Sequence, residues 1–330
     1  MNPAVSIVVV AHESAADLPR SLTSAVAQEG VSTQILVVDN ASGDASGAIA
    51  ALFEPNVRVL ALSENVGFAA AMNAGIEATS GRYVLSLNPD CRLAPDFVVT
   101  LARRMDARPD AGSASGRIYR AEGADLAPTS RLDSTGIVFT ASGRHFDRGS
   151  EEDGEGRYLE EEDVAGTTAA AGFYRREALE SAKISTGYFD SDFFVYREDA
   201  DLAWRLANLG WKCLYVPSAV AWHRRRNLPD RRRGQSPIAN RHSVKNRFLL
   251  RINNQSASEF WQTLVPTLAR DALVLGACVT VERSSLPAFS WLWKNRRRLW
   301  AKRREIQQKV VRTRSRPRSS IPDPRRLSCF

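Results

Sequence analysis

Four short polar stretches hold the residues of this 330-residue chain best suited to chemistry. They are Ala11-His-Glu-Ser14, Asp39-Asn-Ala-Ser-Gly-Asp44, Glu64-Asn-Val-Gly-Phe68 and Asn88-Pro-Asp90, each directly after an apolar run. The carboxylate of Asp39 can accept from a nucleobase N3–H or a ribose hydroxyl. The Asn-x-Asp at 88–90 can place one carboxylate on a divalent cation. Any one stretch also reads as helix capping, and Asp44 and Ser63 suit that role alone. All four together crowd polar and small residues along one edge. No GxGxxG follows the first apolar run and no GxxxxGK[ST] occurs, so neither a dinucleotide fingerprint nor a P-loop is present. A mononucleotide suits what remains. A fifth stretch, Tyr196-Arg-Glu-Asp-Ala-Asp201, sets Glu198 and Asp199 at the start of a helix-period segment. Acids are favoured in a first helical turn whatever their role. Asp201 and Arg205, four apart, suit a structural pair on one helix face.

The elements that must position these residues alternate between two periods. Residues 6–11, 34–39, 57–62 and 83–88 are near-continuous apolar, β-branched runs, the pattern of a parallel sheet covered on both faces. Helix-period segments at 15–28, 44–53 and 68–79 separate them, and 96–108 reads as another helix with Pro95 suited to its start. This is a doubly wound α/β beginning, in which ligands bind beyond the carboxyl ends of the strands. Further on, 147–163 carries nine acids and reads as a mobile surface loop. Residues 168–179 read as a strand running into a helix at Arg176, and 198–209 as a helix ended by Gly210. Residues 211–216 and 219–222 read as two short strands. Apolar helical segments follow at 243–250, 258–281 and 286–308, and an Arg/Ser/Pro stretch from 312 reads as disordered.

Composition bounds the class. With 44% hydrophobic and 25% charged residues the chain is ordinary globular protein, neither collagen-like nor wholly disordered. No stretch reaches the roughly 18 apolar residues a spanning helix needs, and 6–11 is too short for a signal sequence. Four scattered cysteines without a CxxC speak against a disulfide framework or a zinc site, and for a cytoplasmic setting. The net charge of +8 is uneven: from Arg283 onward fifteen Lys/Arg stand against two acids, leaving the rest mildly acidic. Such a tail invites a polyanion or an anionic membrane.

The runs VSIVVVAHES, VVDNASGD, ENVGFAAAMNAGI and LNPDC, followed by GFYRREAL, GYFDSDFFVYREDADLAWRL and GWKCLYVPSAVAWH, resemble bacterial family 2 glycosyltransferases, in particular the rhamnosyltransferase-like branch. The resemblance covers roughly 5–223. It implies the GT-A fold, a nucleotide-diphospho-sugar transferase arrangement of α/β layers on a doubly wound mixed sheet, with a C-terminal helical basic extension here. The organisation expected is a catalytic domain at 1–225, a membrane-associated helical extension at 226–311 and a basic tail at 312–330.

The resemblance also implies roles. Ala11, Glu13, Ser14, Asp39, Asn40, Asn65, Gly67, Asn73 and Asn88 would line the nucleotide-sugar site. Asp39 would read the pyrimidine N3–H, and Gly67 would let backbone approach the ligand. Asn73 reads equally as a packing amide. Asp90 would be the last acid of the family's DXD motif, with Asn88 in place of the first, holding Mg²⁺ or Mn²⁺. His223 would complete the coordination shell, bind the diphosphate, or lie at the surface. Asp199 would be the general base, and Glu198 would hydrogen-bond the acceptor or orient the loop. Residues 224–226 form either a second cation clamp on the leaving diphosphate or a solvated basic loop. Thr168-Ala169-Ala170 stands where relatives carry Ser-Gly-Ala, which puts acceptor identity in question. The expected reaction is inverting transfer from a dTDP- or UDP-sugar to a polyprenyl-diphosphate-linked glycan, at the inner face of the plasma membrane. Residues 286–300 mix tryptophans with cations, as an interfacial helix does, and read otherwise as an amphipathic helix packed on the body. No recognition motif supports a nucleic-acid partner. A non-catalytic nucleotide-sugar or glycan-binding subunit and a sugar nucleotidyltransferase are the alternatives. The latter would need a Gly-rich basic loop after the first strand, which 11–14 does not supply.

Overall fold

All seven residues of Val5–Ala11 (β1) are buried, as an apolar strand covered on both faces requires. The computed structural model describes residues 4–123, 125–225 and 237–315, with side chains as far as 313. After β1 come α1 (Leu18–Val26), β2 (Thr33–Asp39), α2 (Ser46–Ala51), β3 (Val57–Ala61), α3 (Phe68–Glu77), β4 (Tyr83–Leu87), β5 (Cys91–Leu93) and α4 (Phe97–Ala107). The middle adds β6 (Ala111–Glu122), β7 (Ala127–Ser134), β8 (Ile137–Phe139), β9 (His145–Asp147), β10 (Glu162–Val164), β11 (Ala171–Arg175), α5 (Arg176–Ala182), α6 (Glu198–Asn208) and β12 (Lys212–His223). The C-terminal part is helical: α7 (Pro237–Asn254), α8 (Ala257–Gln262), α9 (Leu264–Thr280) and α10 (Pro287–Ser315).

Ten strands form one mixed sheet in the order β10-β12-β6-β11-β4-β1-β2-β3, with β5 beside β12 and β7 beside β6. The pairs β1/β2, β1/β4, β2/β3 and β6/β12 are parallel, and β11 runs antiparallel between β4 and β6. The chain builds outward from β1 through β2 to β3, then crosses back to set β4 on the other side of β1. That reversal opens a crevice beyond the strand ends. The two-residue period of the strands divides the core. Ile7, Val9, Val37 and Leu85 pack with Leu22, Phe97 and Leu101, whereas Val8, Val38 and Val84 pack with Met72, Ile76, Leu179 and Leu202.

Three local differences from the expected elements have physical causes. Residues 211–216 and 219–222 are one strand, β12, because a register shift between Val216 and Val220 accommodates the interruption without ending the pairing with β6. Most of 111–147 is strand: β6 reads as Gly, Ser and Arg among small apolar residues, so its burial is set by its neighbours rather than its pattern. The expected helix at 258–281 breaks at Thr263, which caps the end of α8 with its backbone N–H on Glu259 O. The acid-rich 147–163 is ordered by strands at both ends, by Arg148 on Glu162 (2.6 Å) and by Tyr158 on Glu152 (3.1 Å).

The helices after 237 are not a separate lobe. Phe193 and Ala200 share a hydrophobic cluster with Leu249 and Leu250 of α7 and Leu299 of α10. Of the expected tail, residues from 316 lie outside the described residues, as do Arg226 and the Arg231-Arg-Arg233 run.

Candidate active site

The loops after β1, β2 and β3 are stitched together by side chains. Asn40, almost fully buried, donates through Nδ2 to Asn65 Oδ1 (3.0 Å) and accepts Val66 N–H at Oδ1 (3.0 Å). Its own N–H reaches Ala11 O (2.8 Å). His12 contacts Asn40 O through Nδ1 and Asn65 Nδ2 through Nε2. Glu13 accepts Gly43 N–H (2.6 Å), and the buried Ser14 donates its hydroxyl to His12 O (3.0 Å). Asp39 accepts Ser42 N–H at Oδ1 (3.1 Å), while its Oδ2 lies where a Cβ on Gly47 would come within 2.7 Å. Asp44 is not the cap of α2, which is Ala45; it accepts Ser46 N–H (2.9 Å) at the first residue of the helix and Ala15 N–H (3.0 Å) from the loop after β1, joining the two loops.

Two of the expected donor-site residues do something else. Asn73 is a packing amide: it accepts Phe189 N–H (2.8 Å) and donates to Phe189 O (2.7 Å), which ties α3 to the loop before α6. The Gly67 α-carbon faces protein, not an open ligand face. A Cβ there would lie 2.5 Å from the Phe194 ring, and φ is +82°. Glycine is needed at 67 because the Phe194 loop presses on it.

Asp90 and His223 meet because β5 pairs antiparallel with the end of β12, setting Cys91 opposite His223. Asp90 Oδ1 lies 3.2 Å from His223 Nε2, Asn88 Nδ2 is 3.4 Å from the same nitrogen, and Arg224 N–H donates to Asp90 O. Behind the imidazole, Asp133 Oδ2 accepts from Nδ1 at 2.8 Å. Asp133 is fully buried and sits at a β-bulge: pairing jumps from Ile118/Ser134 to Tyr119/Leu132, leaving it without an opposite residue. Such a bulge re-aims a side chain. Burial alone would raise the Asp133 pKa, but Arg225, His223 and Arg120 hold it below the usual carboxylate value. Burial would lower the His223 pKa, yet Asp90 and Asp133 raise it to about 9.

This arrangement fits a divalent cation. An O···N separation of 3.2 Å matches adjacent ligands of an octahedral ion with bonds of about 2.1 Å. A carboxylate behind a ligating imidazole is the usual orienting partner. Among the described residues no cluster of three or more His, Cys, Asp or Glu forms a cage, so the remaining positions would fall to phosphate, water or the Asn88 amide.

Glu198 and Asp199 open α6, and Arg197, the residue before them, is in the left-handed region at φ +72°. Phe194 and Tyr196 share that region, so the entry to the helix is backbone held against its preference. The amide Nδ2 of Asn246, fully buried on α7, donates to Phe193 O (2.9 Å), Val195 O (2.8 Å) and Tyr196 O (2.7 Å). The His242 ring stacks on Phe194 at 4.8 Å, and Lys302 of α10 is ion-paired to Asp190 and Asp192. Asp201 and Arg205 form the expected pair at 2.8 Å, both buried.

The half-buried Asp199 accepts Ala200 N–H at 2.7 Å and Ala169 N–H at 3.2 Å. Burial and then Asp147 raise its pKa, opposed by those two N–H groups and Arg225. Glu198 is 6% exposed, and its Oε2 has no hydrogen-bond partner among the described residues. Burial, then the charge of Asp199, pushes its pKa well above the ordinary value.

The two acidic centres are linked to each other by hydrogen bonds and ion pairs. Asp199 grips Ala169, and the adjacent Ala170 O accepts Asn88 N–H (2.9 Å), which begins the Asn-Pro-Asp turn. Arg225 bridges from the other side, to Asp133 (3.1 Å) and to Asp147 (2.5 Å). Arg224 is paired with Asp17 (2.7 Å). Of the expected basic clamp, these two cations therefore neutralise buried acids and brace the site. Asp133, Asp147 and Asn246 escaped the sequence reading. Asp133 and Asp147 lie outside the motif loops, and nothing in the spacing of Asn246 marks its target.

Residues 6–182 match the sequence model of the family described as Glycosyl transferase family 2. The chain is 44% identical over 106 residues to the succinoglycan biosynthesis protein ExoO of Rhizobium meliloti (strain 1021), a stretch covering 32% of this chain and 30% of that protein. It is 27% identical over 330 residues to the N-acetylglucosaminyl-diphospho-decaprenol L-rhamnosyltransferase of Mycobacterium tuberculosis (strain ATCC 25618 / H37Rv), covering 90% of this chain and 97% of that one. Among solved structures it resembles GalNAc-T7 with UDP, GalNAc and Mn²⁺ (TM-score 0.60, 15% identity, 76% of this chain and 48% of that one). It also resembles the mannosyltransferase PcManGT from Pyrobaculum calidifontis with GDP-Man and Mn²⁺ (TM-score 0.52, 17% identity, 96% and 89%). At such identities the likeness is one of fold, and that fold is GT-A.

Proposed function

The chain belongs to glycosyl transferase family 2, and we propose that it is an inverting, metal-assisted transferase that moves a sugar, rhamnose first in line, from a dTDP- or UDP-linked donor to a glycan on a polyprenyl diphosphate. One observation carries this reading: the carboxylate of Asp199 is tied to the turn that bears Asp90, which meets His223, through Ala169, Ala170 and Asn88. Support for the acceptor and the sugar comes from the mycobacterial relative, named for L-rhamnosyl transfer to N-acetylglucosaminyl-diphospho-decaprenol. Support for a nucleotide donor and a divalent ion comes from structural neighbours solved with UDP or GDP-Man and Mn²⁺. The inner face of the plasma membrane, where a lipid-borne acceptor is available to a cytoplasmic enzyme, is the proposed place of action.

The residues divide the work. Asp39 and the web of Asn40, Asn65, Glu13 and Ser14 would seat the nucleoside. Asp90 and His223, with Asn88 beside them, would hold Mg²⁺ or Mn²⁺. The ion would supply positive charge against the leaving diphosphate. Asp199 takes the proton of the attacking acceptor hydroxyl as its oxygen bonds to the anomeric carbon and the bond to the diphosphate breaks. No covalent intermediate forms. Burial and the charge of Asp199 push the Glu198 pKa up, so of the two acids the one with fewer donors holds a proton more readily. Asp199, with two N–H groups on it, is left as the base.

A thermal-shift panel of nucleotide sugars, with and without Mn²⁺, tests the donor class, since specific binding stabilises the fold by mass action. A pyrimidine diphosphate sugar is expected to respond, more strongly with the metal. Asp199→Asn should keep that response and lose about 10²–10⁴ in transfer rate. No shift with any pyrimidine donor, or an Asp199→Asn protein as active as wild type, would overturn the reading.

A further inference from the structure

Helix α9 is apolar and largely exposed. Of its seventeen residues only Thr267 and Cys278 are buried. Val265 (78% exposed), Leu268 (58%), Leu275 (48%) and Val279 (52%) line one stripe. Its only charged residues are Arg270 and Asp271, and Asp271 is turned inward to Arg247 (3.1 Å) and Arg251 (2.5 Å) of α7. At its N-terminal end Trp261 of α8 is 71% exposed. A helix apolar around most of its girth is stable only when something covers it.

The charges of the flanking helices identify the cover. The acids Glu259, Asp271, Glu282 and Glu305 are half-buried, whereas Arg283, Lys294, Arg296, Arg297 and Arg304 are exposed. An apolar face with a tryptophan at one end and a run of exposed cations following it in the chain, beginning at Arg283 beside its other end, complements anionic lipid. A second copy of the chain offers no acidic complement to that cationic run from these helices, whose acids are half-buried. Alone α9 is too short to span: among the described residues no single helix is long and apolar enough, and it is only together with α10, across a bend of 112°, that it meets the length and composition of a span. Seventeen residues extend only about 25 Å. The segment expected to be interfacial, 286–300, is partly committed inward instead, with Ala288 and Leu299 buried and Trp291 against Lys245.

We propose that the α8–α9 face lies flat in the headgroup region of an anionic membrane and is the surface by which the protein docks there. The assignment rests on the transferase reading only for its purpose, which is to bring the site to a lipid-borne acceptor. The geometry suits that purpose: α7 carries Arg247 and Arg251 on α9 and Asn246 on the loop before Glu198. The same helix, α7, thus touches both the proposed membrane face and the loop that carries Asp199.

The experiment is co-sedimentation of the full chain with vesicles of phosphatidylcholine alone and of phosphatidylcholine with phosphatidylglycerol, without nucleotide. Wild type should partition at least tenfold better onto the anionic vesicles, and less so as salt rises. The triple variant Val265→Glu, Leu268→Glu, Leu275→Glu, with its basic tail intact, should lose tenfold or more while keeping its unfolding temperature. Wild type indifferent to lipid charge, or a triple variant that pellets like wild type, would overturn the assignment. So would a lipid-free dimer that the triple variant dissociates. Because no donor is present, failure here leaves the transferase reading standing, and a silent donor panel leaves this surface standing.

Discussion

Glu198 and Asp199 are neighbours in sequence with opposite surroundings. Asp199 has two N–H donors, whereas Glu198 is enclosed with an oxygen that has no hydrogen-bond partner among the described residues. The folded pKa of Glu198 is raised above the unfolded value of about 4.3, so folding takes up a proton there above that pH. Its contribution to stability is complete below about pH 4 and is lost as pH climbs toward the folded pKa, by about 1.4 kcal/mol per pH unit. Glu198→Gln removes this loss. The variant should therefore gain on wild type as pH rises from 4 to 7, by urea unfolding. A difference that stays flat with pH would show that Glu198 folds ionised.

At the scale of elements, two devices assemble the site from distant parts of the chain. Three residues of β5 pairing with the end of β12 set Asp90 against His223, and a bulge in β7 turns Asp133 onto the far side of that imidazole. The second device is the loop from Phe193 to Arg197, where three left-handed non-glycine residues cost about 1–3 kcal/mol each. One amide, Asn246, offsets part of that by holding three of its carbonyls. Asn246→Ala should cost about 1–3 kcal/mol and make the amides of 196–199 exchange faster with solvent. Turnover should fall much more than donor affinity, since the nucleoside loops are untouched. Unchanged exchange at 196–199 would remove the bracing role.

For the whole molecule, the C-terminal helices have two sides. The inner side is polar and exacting: Lys302 meets Asp190 and Asp192, Asn253 donates to Asp190 (2.8 Å) and Asp201 (2.9 Å), and Asn254 to Asp201 (2.8 Å). The outer side is apolar and cationic. Lys302 is 3% exposed and Asp190 fully buried, so Lys302→Ala strands a buried acid. A loss of about 3–5 kcal/mol is expected, read by urea denaturation. A loss under about 1 kcal/mol would mean that the extension does not hold this segment in place. Through these contacts the helices that face outward are also the frame of the loop that carries Asp199.

Local chemistry was legible in the residues themselves. The β-branched runs declared a parallel sheet, because strands covered on both faces leave no room for alternation. The polar stretches after them marked the working edge, since strand ends in such sheets converge there, and the acids of 198–199 and the 201–205 pair depend only on helix geometry. What no local pattern contained were the partners supplied across the fold. Asn73 and Gly67 look like ligand residues until Phe189 and Phe194 arrive beside them. Asp133, Arg225 and Asn246 acquire their roles only when β7, β12 and α7 are packed. Burial, bulges and long-range pairing decide where a side chain points and which charge it meets, and those are properties of the assembled sheet and helices.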